Sequence, residues 1–144
     1  MNLDKSFLLA SALRPILARL NRKMRKLSPS NTPLSQTERS ILVLLEQHDQ
    51  LLSAELAVLE KITPQSVGPL LNHLAELDLI EKRPSTTDKR KINISLSVKG
   101  QDFLQQVRQE RDEWLGKAIA ELCTPQEQLI LQQAITPLTK LIDF

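Results

Sequence analysis

The sequence predicts a mainly α-helical fold with one small β-hairpin. Three observations carry this prediction. Apolar residues recur every three or four positions over most of the 144 residues. One short segment instead alternates strictly between apolar and polar residues. Capping and breaker residues separate these stretches. With 41% hydrophobic and 25% charged residues, the composition is that of an ordinary globular chain, which excludes disordered and collagen-like classes. The longest apolar run, Ile41 to Leu45, is five residues, against the roughly 20 that span a bilayer.

The first helix carries Leu9, Leu13, Ile16, Leu17, Leu20, Met24 and Leu27 on one face. Pro15 predicts that this helix starts near it or kinks there. Residues 28–33, Ser-Pro-Ser-Asn-Thr-Pro, form a breaker segment. Ser35 and Glu38 make a capping box, opening a helix with Ile41, Leu42, Leu44 and Leu45 that runs to about Gln47. Ser53 is read as the cap of a short helix with Leu56, Ala57 and Leu59. Thr63 before Pro64 opens the next, which should bury Val67, Leu70, Leu71, Leu74 and Leu77.

The period then changes. Ile80-Glu81-Lys82-Arg83 ends at Pro84, and a polar turn follows from Ser85 to Lys91. Ile92, Ile94, Leu96 and Val98 alternate with Asn93, Ser95 and Ser97, so a two-stranded ribbon with a basic tip is expected. A long helix follows with Phe103 or Leu104, Val107, Trp114 or Leu115, Ala118 and Leu122 on one side. Thr124-Pro125 starts the last helix, with Leu129, Ala134, Ile135, Leu138 and Leu141, and Pro137 should kink it.

The net charge of +2 conceals a block pattern. Residues 1–33 hold seven bases and one acid, and residues 80–100 hold six bases and two acids. The segments 34–79 and 101–144 are each net acidic. Two basic islands suggest a polyanion surface more than the total charge does. Only three Phe, one Trp and no Tyr are present, which excludes an aromatic stacking platform for single strands. If there is a ligand pocket, the scarcity of rings makes an aliphatic lining the expectation. No glycine-rich phosphate loop, nucleophile–base pair or paired carboxylates stand out, so no enzyme is expected.

Nothing around His48 has metal-site spacing, and no metal or cofactor is expected. Cys123 is the single cysteine and has Glu121 as its nearest charge, so a structural role is expected. A lone cysteine fits a reducing compartment, and with no signal-peptide pattern at the N-terminus the expected location is cytoplasmic, with no membrane partner.

Two short helices followed by a β-ribbon are the parts of a winged helix-turn-helix, whose second short helix enters the major groove. The ordered set Leu79-Ile80-Glu81-Lys82-Arg83-Pro84, then Asp88-Lys89-Arg90, then Leu96-Ser97-Val98-Lys99-Gly100 resembles the MarR family of bacterial transcriptional regulators. It follows that family's "G-L-I-x-R", "D-x-R" and "L-T-x-x-G" at matching separations. The resemblance covers about Leu34 to Leu104 in motif pattern and the whole chain in helix order.

This resemblance implies one domain over 1–144, with a DNA-binding lobe at 34–100 and dimerisation helices at 1–28 and 101–144. It implies a homodimeric regulator of palindromic double-stranded operator DNA, with repression the expected sign and a small-molecule effector. It places the DNA contacts at Ser53, Thr63, Gln65, Ser66, Asn72, His73, Lys89, Arg90 and Lys91. Arg90 would reach the minor groove, while Asp88 and its expected partner Lys82 hold the wing in shape. A guanidinium suits a narrow, negative groove.

This sequence also departs from the family pattern. Asp78 stands where the family has Gly, and Asp tolerates the left-handed conformation better than most residues. Gly68-Pro69 lies inside the presumed recognition helix, which has no Lys or Arg from Pro64 to Leu77. Pro69 removes a bond to the Gln65 carbonyl, at a cost of roughly 3 kcal/mol if uncompensated. These departures keep open an alternative: a winged-helix protein-interaction module with weak or non-specific DNA binding.

Overall fold

The computed structural model describes residues 2–27 and 34–144; the predicted breaker segment lies outside these residues. Two compact units are present, Met1–Leu27 with Gln109–Phe144, and Ser28–Arg108. The elements are α1 (Leu3–Arg25), α2 (Gln36–Gln47), β1 (Leu51–Leu52), α3 (Ser53–Glu60), α4 (Pro64–Glu76), β2 (Ile80–Pro84), β3 (Ile92–Leu96), α5 (Val98–Leu122) and α6 (Pro125–Ile142). The predicted order of four helices, a ribbon and two helices is thus observed.

The Ser28–Arg108 unit contains the core. Ile41, Leu42 and Leu45 of α2 cluster with Leu56 and Ala57 of α3, and with Val67, Leu71 and Leu74 of α4. Ile80 and Ile94 close the cluster from the sheet, and Phe103, Leu104 and Val107 from α5. Leu70 and Leu77, expected inside, are only partly buried. Ser35 and Glu38 form the predicted capping box, with reciprocal bonds of 3.0 and 3.1 Å.

Several local expectations need correction. Ser53 is not the cap of α3. Leu52 holds that position in extended conformation, and Glu55 reaches back to accept from its N–H at 2.9 Å. Val98 does not extend the strand. The Ser97 hydroxyl accepts from the Gly100 N–H at 2.9 Å, which opens α5 at Val98. The sheet has three strands rather than two, in the antiparallel order β1-β3-β2, with Leu51 opposite Ile94 and Lys82 also opposite Ile94 on the other side. A two-residue strand is too short to show a period. Pro15 does not begin the first helix, which starts at Leu3 and continues through it, and α4 and α6 likewise continue through Pro69 and Pro137.

The turn after α4 explains Asp78. Its φ is 60°, and the Leu79 N–H bonds the Leu74 carbonyl while the Asp78 N–H bonds that of Ala75. This is a Schellman ending, with the apolar pair Leu74 and Leu79 packed beneath it. Lys61 ends α3 by the same device at φ 56°. Gly100 is required by packing. A Cβ there would lie 2.2 Å from the Leu79 carbonyl oxygen.

The other unit is differently built. No residue of α1 or α6 is buried. Phe7, Leu8, Leu9, Ile16, Ile130 and Ile135 are all more than half exposed. Of the apolar stripes predicted for these helices, Leu9, Ile16, Leu17, Leu20, Leu129, Ile135 and Leu141 are exposed, and Leu13, Met24, Ala134 and Leu138 are half-buried. Among the described residues, no helix is long and apolar enough to cross a membrane.

Candidate nucleic-acid interface

Helix α4 has two chemically distinct faces. Val67, Leu71 and Leu74 are buried, and the helical period turns Gln65, Pro69, Asn72 and Glu76 to the opposite, exposed side. Thr63 caps the helix, its hydroxyl accepting from the Ser66 N–H at 3.2 Å and lying 2.8 Å from the Ser66 hydroxyl. With Pro64 at the first position, this end presents small polar groups and a helix N-terminus. Gln65 and Ser66 are exposed beside it.

The wing is the hairpin between β2 and β3. Its tip is folded by local bonds. The Ser85 N–H donates to the Lys91 carbonyl at 2.8 Å, and the Lys91 N–H to the Asp88 carbonyl at 3.0 Å. Asp88 Oδ1 accepts from the Arg90 N–H at 3.0 Å and from its Nε at 3.4 Å. The Arg90 side chain is nevertheless 92% exposed, and Lys89 and Lys91 are exposed with it. Asp88 therefore organises the tip through Arg90. Lys82 is not its partner: its Nζ donates to Asn72 Oδ1 of α4 at 2.6 Å. The reason is position, since Lys82 lies mid-strand, opposite Ile94, far along the hairpin from the tip.

The wing and the helix-turn-helix converge on a groove of about 350 Å³, lined by Leu52, Ser53, Ala54, Pro64, Arg90, Lys91 and Ile92. Ser53 is in the first turn of α3, so the groove combines a helix N-terminus with two cationic side chains. That is the chemistry of a phosphate contact. Ser53, Arg90 and Lys91 are thus brought together, with Thr63 and Ser66 at the adjoining end of α4.

Asn72 and His73 are already engaged. Asn72 accepts from Lys82, and His73 Nδ1 meets Glu38 Oε2 on α2. Burial alone would push the Glu38 carboxyl up. The Ser35 N–H, the His73 side chain and the Ser35 hydroxyl outweigh it and hold the group below its ordinary value. The spacing of Glu38 and His73, 35 residues apart, gave no signal for this pair.

Arg108 was also missed. It grips Glu46 with both terminal nitrogens, the Nη1 bond being 2.8 Å. This grip holds the Glu46 carboxyl below its ordinary value and raises the Arg108 guanidinium. The pair borders a cavity of about 480 Å³ lined also by Leu45, His48, Asp49, Leu96, Gln101 and Gln105. A cavity of about 420 Å³ at α1 and α6 has a largely aliphatic lining of Leu9, Ala10, Leu13, Leu17 and Leu141. Cys123 is free and partly buried. Among the described residues, no group of three or more His, Cys, Asp or Glu is placed to hold a metal.

Comparison with known proteins agrees with this geometry. The MarR family model matches residues 34–92. An uncharacterized HTH-type transcriptional regulator of Mycobacterium bovis is 30% identical over 141 residues, covering 98% of this chain and 97% of that protein. A MarR family protein from Bacillus stearothermophilus has the same fold, with a TM-score of 0.75, 19% identity, and coverage of 100% of this chain and 99% of that one. A MepR variant of S. aureus, solved bound to an oligodeoxyribonucleotide, is similar with a TM-score of 0.66 at 20% identity, covering 96% and 97% of the two chains. The motifs, the winged helix-turn-helix and the full-length relative agree: this chain belongs to the MarR family of helix-turn-helix transcriptional regulators.

Proposed function

We propose that this protein binds double-stranded operator DNA as a homodimer and represses transcription there. The exposed face of α4 enters the major groove and the wing follows the backbone, with Arg90 directed to the minor groove. The observation that carries this reading is the groove where Ser53, Pro64, Arg90 and Lys91 meet beside the α4 N-terminus. The uncovered apolar residues of α1 and α6 support dimerisation, because a water-soluble monomer rarely exposes so large an apolar surface. The MepR variant bound to an oligodeoxyribonucleotide supports the DNA partner. A small-molecule effector, implied by the family, controls this binding, a reading supported by the cavity at Glu46 and Arg108.

A salt series on duplex DNA tests the proposal. Affinity should fall steeply with salt, and Arg90→Ala should weaken binding and lower the slope of log affinity against log salt by about one per subunit, about two for the dimer. Binding that is absent, or insensitive to salt, would overturn it. One observation favours the interaction-module alternative: α4 has no Lys or Arg from Pro64 to Glu76. That outcome would be marked by no enrichment when the protein selects from random duplexes.

A further inference from the structure

Helix α4 carries no Lys or Arg of its own, but Lys82 brings an ammonium to it from β2. The contact also settles the orientation of the Asn72 amide. An ammonium has donors only, so the amide atom facing Lys82 Nζ at 2.6 Å is the oxygen. Asn72 stands on the exposed stripe with Gln65 and Pro69, opposite the buried Val67, Leu71 and Leu74. Lys82 is exposed as well, so the pair faces outward together.

We infer that Lys82 and Asn72 act as one specificity-determining unit that reads guanine, not adenine, in the major groove. This inference rests on the DNA-binding reading above. Asparagine reads adenine by donating to N7 while accepting from the N6 amino group. Here one of the two lone pairs on the Asn72 oxygen is taken by a charge-assisted bond, and the ammonium seated there repels the amino hydrogens that would approach the other. The hydrogens left over, on Asn72 Nδ2 and Lys82 Nζ, are all donors. Guanine presents two acceptors, N7 and O6, on its major-groove edge, whereas adenine presents N7 beside a donor. A cationic, donor-rich pair fits the first and repels the N6 amino group of the second. Pro69, one turn before Asn72 on the same stripe, adds an apolar ring suited to a thymine methyl at a neighbouring position.

The test is selection of bound sequences from randomised duplex DNA by the full-length protein and three variants, each checked for folding by circular dichroism. The natural protein should enrich guanine at one position of each half-site. Asn72→Ala should reduce the guanine preference there by about tenfold, within the range for one good base pairing. Lys82→Met frees the Asn72 oxygen, so the same position should move from guanine towards adenine. Lys82→Arg keeps a donor-only partner and should keep guanine. Guanine retained in Lys82→Met, or adenine already preferred by the natural protein at the position that Asn72→Ala affects, would overturn the inference while leaving DNA binding intact. A natural protein that enriches no sequence would overturn both.

Discussion

Glu38 of α2 serves two helices at once: one carboxylate oxygen accepts from the Ser35 backbone, and the other meets His73 of α4. The first contact starts α2, and the second ties it to the helix that carries the exposed polar stripe. Glu38 is buried while Ser35 is exposed and His73 partly so, and removing the carboxylate breaks both contacts. Glu38→Ala is expected to destabilise the protein by about 2–3 kcal/mol, combining a lost cap with a lost charge-assisted bond. Ser35→Ala removes only the cap and should cost about 1 kcal/mol. Urea unfolding of both variants checks this; equal losses would mean that the His73 contact contributes nothing.

The carboxylates also set an acid limit. Glu38 and Glu46 both ionise below their ordinary value in the folded state, Glu38 because its hydrogen bonds outweigh burial and Glu46 because Arg108 grips it. Each binds fewer protons folded than unfolded. Its stabilisation is therefore complete above the unfolded value of about 4.3 and is lost as pH falls through the lower folded value. Urea midpoints should be nearly flat from neutral pH to about 5.5 and decline below about 4.3. Glu46→Gln should lower the neutral-pH midpoint and flatten that decline. A decline equally steep in the variant would count against the Arg108 pair.

Two glycines in helices should respond with opposite signs. An added Cβ at Gly100 meets the Leu79 carbonyl oxygen at 2.2 Å and Leu96 Cδ1 at 2.8 Å, so backbone must move. Gly100→Ala is expected to cost about 2 kcal/mol, as overpacking does. At Gly116 nothing lies within 4 Å of the added atom, and Gly116→Ala should gain about 0.5–1 kcal/mol from helix propensity. Thermal unfolding of the two variants separates the effects.

Asp78 holds a left-handed conformation that glycine adopts freely. Asp78→Gly should raise stability by about 0.5–1 kcal/mol, since only backbone groups of this residue take part in the turn and in the 2.6 Å bond from the Ser97 hydroxyl. A loss of stability in denaturant titration would show that its carboxylate has a role of its own.

The oligomeric state can be tested at Ile135, which is 63% exposed on α6. Ile135→Lys places a charge on a surface proposed to be buried between copies. Sedimentation should find the natural protein dimeric and the variant largely monomeric, with operator affinity lost in parallel. A natural protein that sediments as a monomer at micromolar concentration would sink the dimer proposal.

The sequence by itself determined the element order, because capping and periodicity are local properties. Ser35 with Glu38, Thr63 before Pro64, and the alternation from Ile92 to Leu96 each act within a few residues, so they could be read without coordinates. It also localised the basic wing and marked Asp78 as a left-handed position. Tertiary structure decided how the polar side chains pair. Lys82 turns to Asn72 rather than Asp88, His73 turns to Glu38, and Arg108 grips Glu46 across 62 residues. β1 likewise exists only because Leu51 meets Ile94. The physical reason is range. Backbone preferences and apolar spacing are set by neighbours in the chain, whereas a donor's partner is whichever acceptor the packed helices and strands bring within about 3 Å.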